Sequence, residues 1–234
     1  MFDDKGLTNV KPLFCFNPMR LIQRFMRFFF HHFYHSLAWT YDFIAAIVSI
    51  GRWNSWIRTV LPFVRGTKIL EIGHGPGLLQ RLLRDQNYCS IGLDESPQMI
   101  RLAKRRLEKA NPQIIKLVRG LAQALPFPEA EFDSVISTFP SDYIFDPDTL
   151  SSIHRVLRGD GRFILVPAAW IVGRKFLDRA AAWLFRVTGE APLNIREVIG
   201  KRAVKPLKQA GFNVEVRELE IQTSTVMVIL ATKS

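Results

Sequence analysis

The sequence is poor in cysteine and has no long uninterrupted apolar run. Only two of its 234 residues are cysteines. Cys15 and Cys89 lie far apart, and neither belongs to a CxxC motif or a Cys/His cluster, which excludes a disulfide scaffold and favours a reducing, cytoplasmic compartment. With 48% hydrophobic and 23% charged residues, the chain is also too apolar for disorder and long enough for one packed domain with an appendage.

Signals for export or membrane insertion are absent as well. The first residues, MFDDKG, carry two acids and lack the basic, apolar and small-residue regions of a secretory signal. The apolar stretch 28–50 contains three histidines and Asp42, and its longest clean run, 43–50, is far shorter than the roughly 20 residues of a membrane span. We therefore expect neither a secretory signal nor a transmembrane helix.

Acidic residues are outnumbered by basic ones. Lysine and arginine number 32 against 21 acids, a formal charge of +11, so the surface should attract anions. Residues 1–68 alone hold nine basic and three acidic side chains. Much of the excess charge therefore lies near the N-terminus.

The N-terminal region, residues 1–65, is predicted to be a helical cap. Arg20, Arg24 and Arg27 recur at helical spacing among phenylalanines within 19–34, which indicates a basic, aromatic amphipathic helix. We favour a lid that packs on the domain; a helix at an anionic membrane surface is the second interpretation, and a nucleic-acid arm the least favoured. Because the nearby cluster of His31, His32 and His35 has no carboxylate partner at metal-binding spacing, we expect no metal site.

After Gly66, apolar runs alternate with helical segments, which is typical of an α/β fold with a parallel sheet. The loop Glu220–Ser224 between the last two runs is too short for a crossover, so one of these strands must be antiparallel. The predicted strands are 68–72, 90–93, 114–118, 134–137, 162–166, 213–219 and 225–231. The predicted helices after 19–34 are 37–50 and 54–61 in the cap, and 77–87, 97–109, 147–157, 174–187 and 195–210 in the α/β part.

The first strand runs into a glycine-rich turn, EIGHGPG, that opens a helix. Such a turn lets the backbone approach a ligand closely, and Asp94, 21 residues after Gly73, ends the next strand, where a carboxylate binds ribose hydroxyls. Leu78 stands where a dinucleotide fingerprint has its third glycine, which disfavours NAD. Because Glu71 places a carboxylate at the mouth of the turn, the pattern predicts a ribosylated, partly cationic ligand.

Four segments, in this order, resemble class I S-adenosylmethionine-dependent methyltransferases, in the subgroup similar to ubiquinone/menaquinone biosynthesis methyltransferases. They are EIGHGPG from Glu71, GLDESPQM from Gly92, ALPF with FDSVIS from Ala124, and RVLRGDGRF from Arg155. The resemblance covers about residues 66–232 of the domain 66–234. It implies a Rossmann-like seven-stranded sheet of order 3-2-1-4-5-7-6 with strand 7 antiparallel, and S-adenosyl-L-methionine as cofactor.

The resemblance also assigns roles to individual residues. The turn Glu71, Gly73, His74, Gly75 and Gly77 would surround the methionine end, Asp94 would bind ribose, and Glu95 and Met99 would border adenine or ribose. The family commonly has an acid after the glycine that ends strand 3, but this chain has Leu121, so adenine would be contacted by Leu121, Ala122 or Gln123. Ser137 and Thr138 would face the methyl group, and Tyr41 would close over the cofactor.

The acceptor is predicted to be small and hydrophobic or amphiphilic, quinol-like or lipid-like, and methylated at carbon or oxygen. An apolar segment at about 167–192, interrupted by basic residues, is read as a substrate cover, although core packing explains the same residues equally well. Because the cofactor already carries an activated methyl group, alignment supplies most of the catalysis, and Asp142, Tyr143 and His154 are the candidate bases. The alternative is a non-catalytic protein of this fold that binds nucleic acid or membrane through its basic surface.

Overall fold

The computed structural model describes residues 51–110, 116–172 and 203–233. The helices are α1 (Trp53–Arg58), α2 (Leu78–Asp85), α3 (Pro97–Ala110), α4 (Pro147–Val156) and α5 (helical residues 203–209). The strands are β1 (Lys68–Ile72), β2 (Cys89–Asp94), β3 (Leu117–Arg119), β4 (Phe132–Thr138), β5 (Leu157–Ile171), β6 (Phe212–Ile221) and β7 (Ser224–Lys233). Short 3-10 turns lie at Leu61–Phe63, Ala122–Ala124 and Asp142–Phe145.

The seven strands form one sheet of order β3-β2-β1-β4-β5-β7-β6. The pairs among β1 to β5 are parallel, while β7 is antiparallel to both β5 and β6. The predicted α/β class, strand order and antiparallel final strand are therefore confirmed. Since the carboxyl ends of the five parallel strands meet at one edge of the sheet, the turns that follow β1, β2, β3 and β4 converge there.

Each face of the sheet is covered by its own apolar core. On one face, Trp56 and Ile57 of α1 and Leu79 and Leu83 of α2 pack with strand residues such as Ile69. On the other face, α4 and α5 contribute the buried residues Leu150, Ile153, Val156, Ala203 and Leu207. The described part of the predicted N-terminal cap, α1, thus belongs to the core of the sheet.

The segment predicted as a substrate cover, about 167–192, overlaps the end of β5. β5 continues through Pro167 to Ile171, and Trp170 and Ile171 pair with β7. The register shifts between Leu165 and Ala168, where β5 has one residue more than β7. Pro167 lies within this bulge, which tolerates a residue that cannot donate a backbone hydrogen bond. Residues 167–171 are therefore strand.

Several predicted features lie outside the described residues. They are the helices before residue 51, Tyr41, the three histidines at 31, 32 and 35, the first residues of the strand predicted at 114–118, the helix predicted at 174–187 and the first part of the one at 195–210. Among the residues that the structure describes, none of the helices is both long and apolar enough to cross a bilayer.

Candidate functional site: the glycine turn after strand β1

The turn after β1 is held against the end of β2 by backbone contacts. Gly73 and His74 both donate their amide hydrogens to the carbonyl of Leu93, at 2.8 and 3.3 Å. Gly73 has φ +68°, and an added Cβ would lie 2.5 Å from the Tyr143 hydroxyl. Only glycine fits this conformation under that tyrosine, so the turn and the segment after β4 are in direct contact.

The third glycine joins two helices. Gly77 has φ +80°, and a Cβ there would lie 2.8 Å from the Cβ of Ala103 in α3. Its backbone begins α2, so α2 and α3 approach each other closely at this point. Arg106 of α3 also donates to the carbonyl of Pro76, at 2.7 Å. The turn is thus fixed from the side of α3 as well as from β2.

Asp94 at the end of β2 organises the same turn with its side chain. Its Oδ2 accepts the amide hydrogen of Gly75 at 2.9 Å, and its Oδ1 accepts that of Ser96 at 2.9 Å. The residue is 9% exposed. Each carboxylate oxygen can accept a second hydrogen bond, so Asp94 can bind a hydroxyl pair while it holds the turn.

Glu71 lies beneath the turn, on the β1 face that α2 covers. It is 1% exposed, and its Oε2 accepts a hydrogen bond from Nε2 of Gln80 at 2.8 Å. Burial raises the pKa of Glu71 to about 8; the hydrogen bond from Gln80 opposes this shift, and the nearby Asp94 adds to it. A buried carboxyl beside a second carboxylate is a favourable neighbour for a cation.

His74 is buried against Gly92 of β2, at 3% exposure. Its Nδ1 lies 2.7 Å from the carbonyl of Gly75, and its Nε2 has no hydrogen-bond partner among the described residues. Burial lowers the pKa of His74, against the opposing charge of Asp94. The neutral ring therefore supports the backbone of the turn.

The segment after β4 brings a polar and an aromatic group to the site. Ser137 donates to the carbonyl of Ile72 at 2.9 Å, which ties β4 to β1. Tyr143 shares a hydrogen bond with Ser137, and burial, together with the charges of Asp94, Glu95 and Glu71, raises the pKa of Tyr143 to about 12. Tyr143 is thus a neutral hydroxyl at physiological pH and not a phenolate base.

Next to Thr138, the end of β4 carries a residue in a strained conformation. Phe139 has φ +51°, in the left-handed region that non-glycine residues rarely adopt. Its ring lies 4.5 Å from that of Trp53 and 6.1 Å from that of Trp56. We call Trp53, Trp56 and Phe139 the aromatic wall; the sequence did not single out the two tryptophans.

Most of the remaining predicted residues lie at the carboxyl edge of the sheet. Four of them, Glu95, Met99, Leu121 and Ala122, border the edge where β2 and β3 end, and Gln123 lies in the same 3-10 turn as Ala122. Gly120 donates its amide hydrogen to the carbonyl of Asp94 at 3.2 Å. Leu121, which is 54% exposed, therefore lies beside Asp94, the residue predicted to bind ribose. Asp142 is exposed at the start of the turn that contains Tyr143.

His154 does not join the site. It lies near the end of α4, with its ring 5.2 Å from that of Phe212 at the start of β6. Burial and the charge of Lys233 lower its pKa. Because α4 leads from the carboxyl edge of the sheet to the opposite edge, His154 is separated from the glycine turn by the length of the helix.

Gln80 and Ser90 are functional candidates that the sequence analysis missed. Gln80 is 1% exposed and connects Glu71 to Ser90 through hydrogen bonds of 2.8 and 3.0 Å. The sequence contained a signal for this contact, because Gln80 stands three residues before Leu83, on the face of α2 that buries Leu79 and Leu83. A glutamine within the apolar stripe of an amphipathic helix indicates a buried polar contact.

The space above Gly75 is open, since no described atom beyond its chain neighbours lies within 4 Å of an added Cβ. Together with the turn and the two carboxyl groups, this space forms a site for a cationic, ribose-bearing ligand. This arrangement at the carboxyl edge of a 3-2-1-4-5-7-6 sheet is that of a Rossmann-like methyltransferase. The residues present fit S-adenosylmethionine, which carries both a ribose and a sulfonium group.

Comparison with known proteins agrees with this class. Residues 70–165 match the family described as methyltransferase domain. The chain is 34% identical over 175 residues to the uncharacterized methyltransferase YdaC of Bacillus subtilis, covering 74% of this chain and 84% of that one. It is also 34% identical over 145 residues to demethylmenaquinone methyltransferase of Symbiobacterium thermophilum, covering 58% of this chain and only 57% of that relative.

Among solved structures, a methyltransferase from Thermotoga maritima, described as a possible histamine N-methyltransferase, matches with a TM-score of 0.58 at 18% identity, over 87% of this chain and 99% of that one. The chain belongs to the methyltransferase domain family, and its sheet order is that of the class I S-adenosylmethionine-dependent methyltransferases. S-adenosylmethionine is accordingly its cofactor. The comparisons do not favour the non-catalytic alternative.

Proposed function

We propose that the protein transfers a methyl group from S-adenosylmethionine to carbon or oxygen of a small hydrophobic acceptor, quinol-like in the first place and lipid-like in the second. The observation that carries this proposal is the aromatic wall at the end of β4, on the same edge of the sheet as the glycine turn. The names of two relatives, demethylmenaquinone methyltransferase and ubiquinone/menaquinone biosynthesis C-methyltransferase, support a quinol-like acceptor.

The chain's own residues would bind and align the cofactor. When bound, S-adenosylmethionine supplies a methyl group already activated by its sulfonium. Glu71 and the amides of the glycine turn would hold the methionine end, and Asp94 the ribose. Leu121 and Ala122 would border adenine. Glu71 as a carboxylate would favour the cationic ligand, and the fixed turn would restrict the orientation of that ligand.

The aromatic wall would orient the acceptor against the methyl group. Trp53 and Phe139 offer a half-buried aromatic surface on which a planar ring can stack. Tyr143, neutral and positioned over Gly73, offers a hydroxyl that can accept or donate a hydrogen bond. Asp142, exposed next to it, remains the candidate for receiving a proton from the acceptor.

Two measurements test this function. Calorimetry with S-adenosylhomocysteine should show binding to the folded protein; no binding at millimolar ligand would refute the cofactor assignment. Methyl transfer from labelled S-adenosylmethionine should be observed with reduced 1,4-naphthoquinone, and not with ethanolamine phosphate. Transfer only to ethanolamine phosphate would refute the acceptor class.

A pair of variants tests the aromatic wall. Trp53→Ala should raise the KM for the naphthoquinol about fivefold while the affinity for S-adenosylhomocysteine stays unchanged, because stacking on one aromatic side chain contributes about 1 kcal/mol. Phe63→Ala is the matched control, since Phe63 is a half-buried aromatic residue that lies beside Arg217 instead of the site. Equal effects of both variants would contradict the assignment of the wall.

Peripheral contact with an anionic membrane is proposed on the sequence alone. The basic, aromatic segment 19–34 would bury phenylalanines at the headgroups while its arginines stay hydrated. Co-sedimentation with vesicles of anionic phospholipid should be lost when residues 1–35 are removed. Equal sedimentation of both forms would contradict the proposal.

A further inference from the structure

A chain of hydrogen bonds leads from Glu71 into the interior between α2 and β2. Gln80 donates from Nε2 to Glu71, and its Oε1 accepts a hydrogen bond from the Ser90 hydroxyl. All three residues are at least nine-tenths buried. With its amide oxygen bonded to the Ser90 hydroxyl, Gln80 directs its amide nitrogen to the carboxyl group. Ser90 thus supports this orientation of Gln80 from within the protein.

The donor that reaches Glu71 is a neutral amide. Asp94 faces it from β2 as a second carboxylate, and Tyr143 contributes a neutral hydroxyl from the turn after β4. His74, in the same turn as the glycines, is a neutral buried ring. The Arg106 guanidinium of α3 also reaches the turn, where it donates to the Pro76 carbonyl at 2.7 Å. Among the described residues Glu71 forms no ion pair, with Arg106 or with another cation. A buried acid in such surroundings takes up a proton.

A cationic ligand changes this balance. Both S-adenosylmethionine and its product S-adenosylhomocysteine carry an α-ammonium at the methionine end. S-adenosylmethionine bears one positive charge more, since methyl transfer converts the sulfonium into an uncharged thioether. When the cation enters, Glu71 can release its proton to the solvent and remain as a carboxylate beside it. Release costs less when a donor stabilises the carboxylate, and Gln80 is placed to do so.

We propose that Gln80, oriented by Ser90, is a positioning residue that tunes the exchange of the Glu71 proton for the positive charge of the cofactor, and that it thereby sets the preference of the site for S-adenosylmethionine over its product. The inference rests on the proposed function, because it needs the cofactor at this turn. It assigns roles to two residues that touch neither the cofactor nor the acceptor.

Proton release on binding is the direct test. Calorimetry of the full chain at pH 7, in two buffers with different ionisation enthalpies, should show the release of up to one proton more per S-adenosylmethionine bound than in the variant Glu71→Gln. Binding of S-adenosylhomocysteine should release less. The affinity for S-adenosylmethionine should rise by up to tenfold per pH unit below about pH 8 and level off above it.

Variants of Gln80 and Ser90 separate positioning from mere packing. Gln80→Leu should weaken S-adenosylmethionine binding several-fold at pH 7 and leave it near wild type at pH 9.5, so that the pH profile moves to higher pH. Ser90→Ala should move it less, in the same direction. Thr59→Ala, which deletes a buried hydroxyl bonded to the Trp56 carbonyl, is the control and should leave the profile in place.

The outcomes are distinct. Cofactor binding without a proton difference between wild type and Glu71→Gln overturns the inference alone. Equal weakening by Gln80→Leu and Ser90→Ala at every pH also overturns it, since a packing defect has no pH dependence. Absence of cofactor binding by the wild-type protein overturns the proposed function and this inference with it. If Gln80→Leu fails to fold, Ser90→Ala decides.

Discussion

Two carboxyl groups at opposite ends of the sheet have opposite environments. Asp133, near the start of β4, accepts hydrogen bonds from the amides of Thr67 and Lys68, each at 2.9 Å, and from Arg158 at 2.7 Å. These donors and the charge of Arg158 hold its pKa below the usual value, although partial burial opposes them. Glu71, one strand away at the other end, has a single neutral donor and a raised pKa.

The different environments of Asp133 and Glu71 indicate different roles, one in holding the fold together and one in binding a ligand. At the amino edge, Asp133 connects the chain before β1 to β4 and β5, and its charge is satisfied within the protein. The carboxyl edge has three features that the described fold does not satisfy: Glu71 has no charged partner, His74 Nε2 has no hydrogen-bond partner, and Phe139 has a strained backbone. Such unmet requirements cluster where a ligand completes the structure.

Replacing Glu71 by glutamine should produce the largest effect on stability, with a gain at high pH. Its raised pKa means that Glu71 stabilises the fold below about pH 4.5 and that this contribution is lost as pH rises through about 8. Glu71→Gln removes the buried charge and keeps an acceptor for Gln80. Denaturant unfolding should give a gain on the order of 3–5 kcal/mol at pH 9 and little change at pH 4.5.

Asp133→Asn should have the opposite sign. The variant loses the charge-assisted bond to Arg158 and one backbone acceptor, which should cost about 2–3 kcal/mol of unfolding free energy at pH 7. Because the pKa of Asp133 is lowered, its contribution is present above about pH 4 and disappears as pH falls further. Cofactor affinity should be unchanged. Two results would contradict the contrast between the two edges of the sheet: a lower unfolding free energy for Glu71→Gln at pH 9, or a weaker cofactor affinity for Asp133→Asn.

The sequence was sufficient for the fold because its signals are local. Buried apolar runs such as 68–72 end at glycines, and the short loop before β7 allows only an antiparallel strand. The glycine turn and Asp94 were predictable for the same reason. The contacts of Glu71 were not, because Gln80 meets it only after α2 packs back on β1. Trp53 likewise reaches Phe139 from a position 86 residues earlier in the chain, and only tertiary packing joins them.

Asp94→Ala should weaken S-adenosylhomocysteine binding by about 1–3 kcal/mol, through the loss of hydrogen bonds to ribose. The structure adds a second cause, since Asp94 also holds the amides of Gly75 and Ser96. Asp94→Asn keeps one acceptor oxygen and should lose less affinity than Asp94→Ala. Calorimetry at constant pH measures both; unchanged affinity in Asp94→Ala would remove this residue from the site.

Leu121→Asp should give the smallest change, and it should be a gain. The resemblance implies an acid at this position that accepts from the adenine amino group, and Leu121, 54% exposed after Gly120, has room for a carboxylate. One added hydrogen bond at an exposed site should tighten S-adenosylhomocysteine binding by about 0.5–1 kcal/mol, two- to fivefold. Leu121→Asn is the matched control and should gain less, because its neutral oxygen is a weaker acceptor. Weaker binding in both variants would show that the apolar surface of Leu121 itself contacts adenine, and the carboxyl edge would then use packing where the family uses charge.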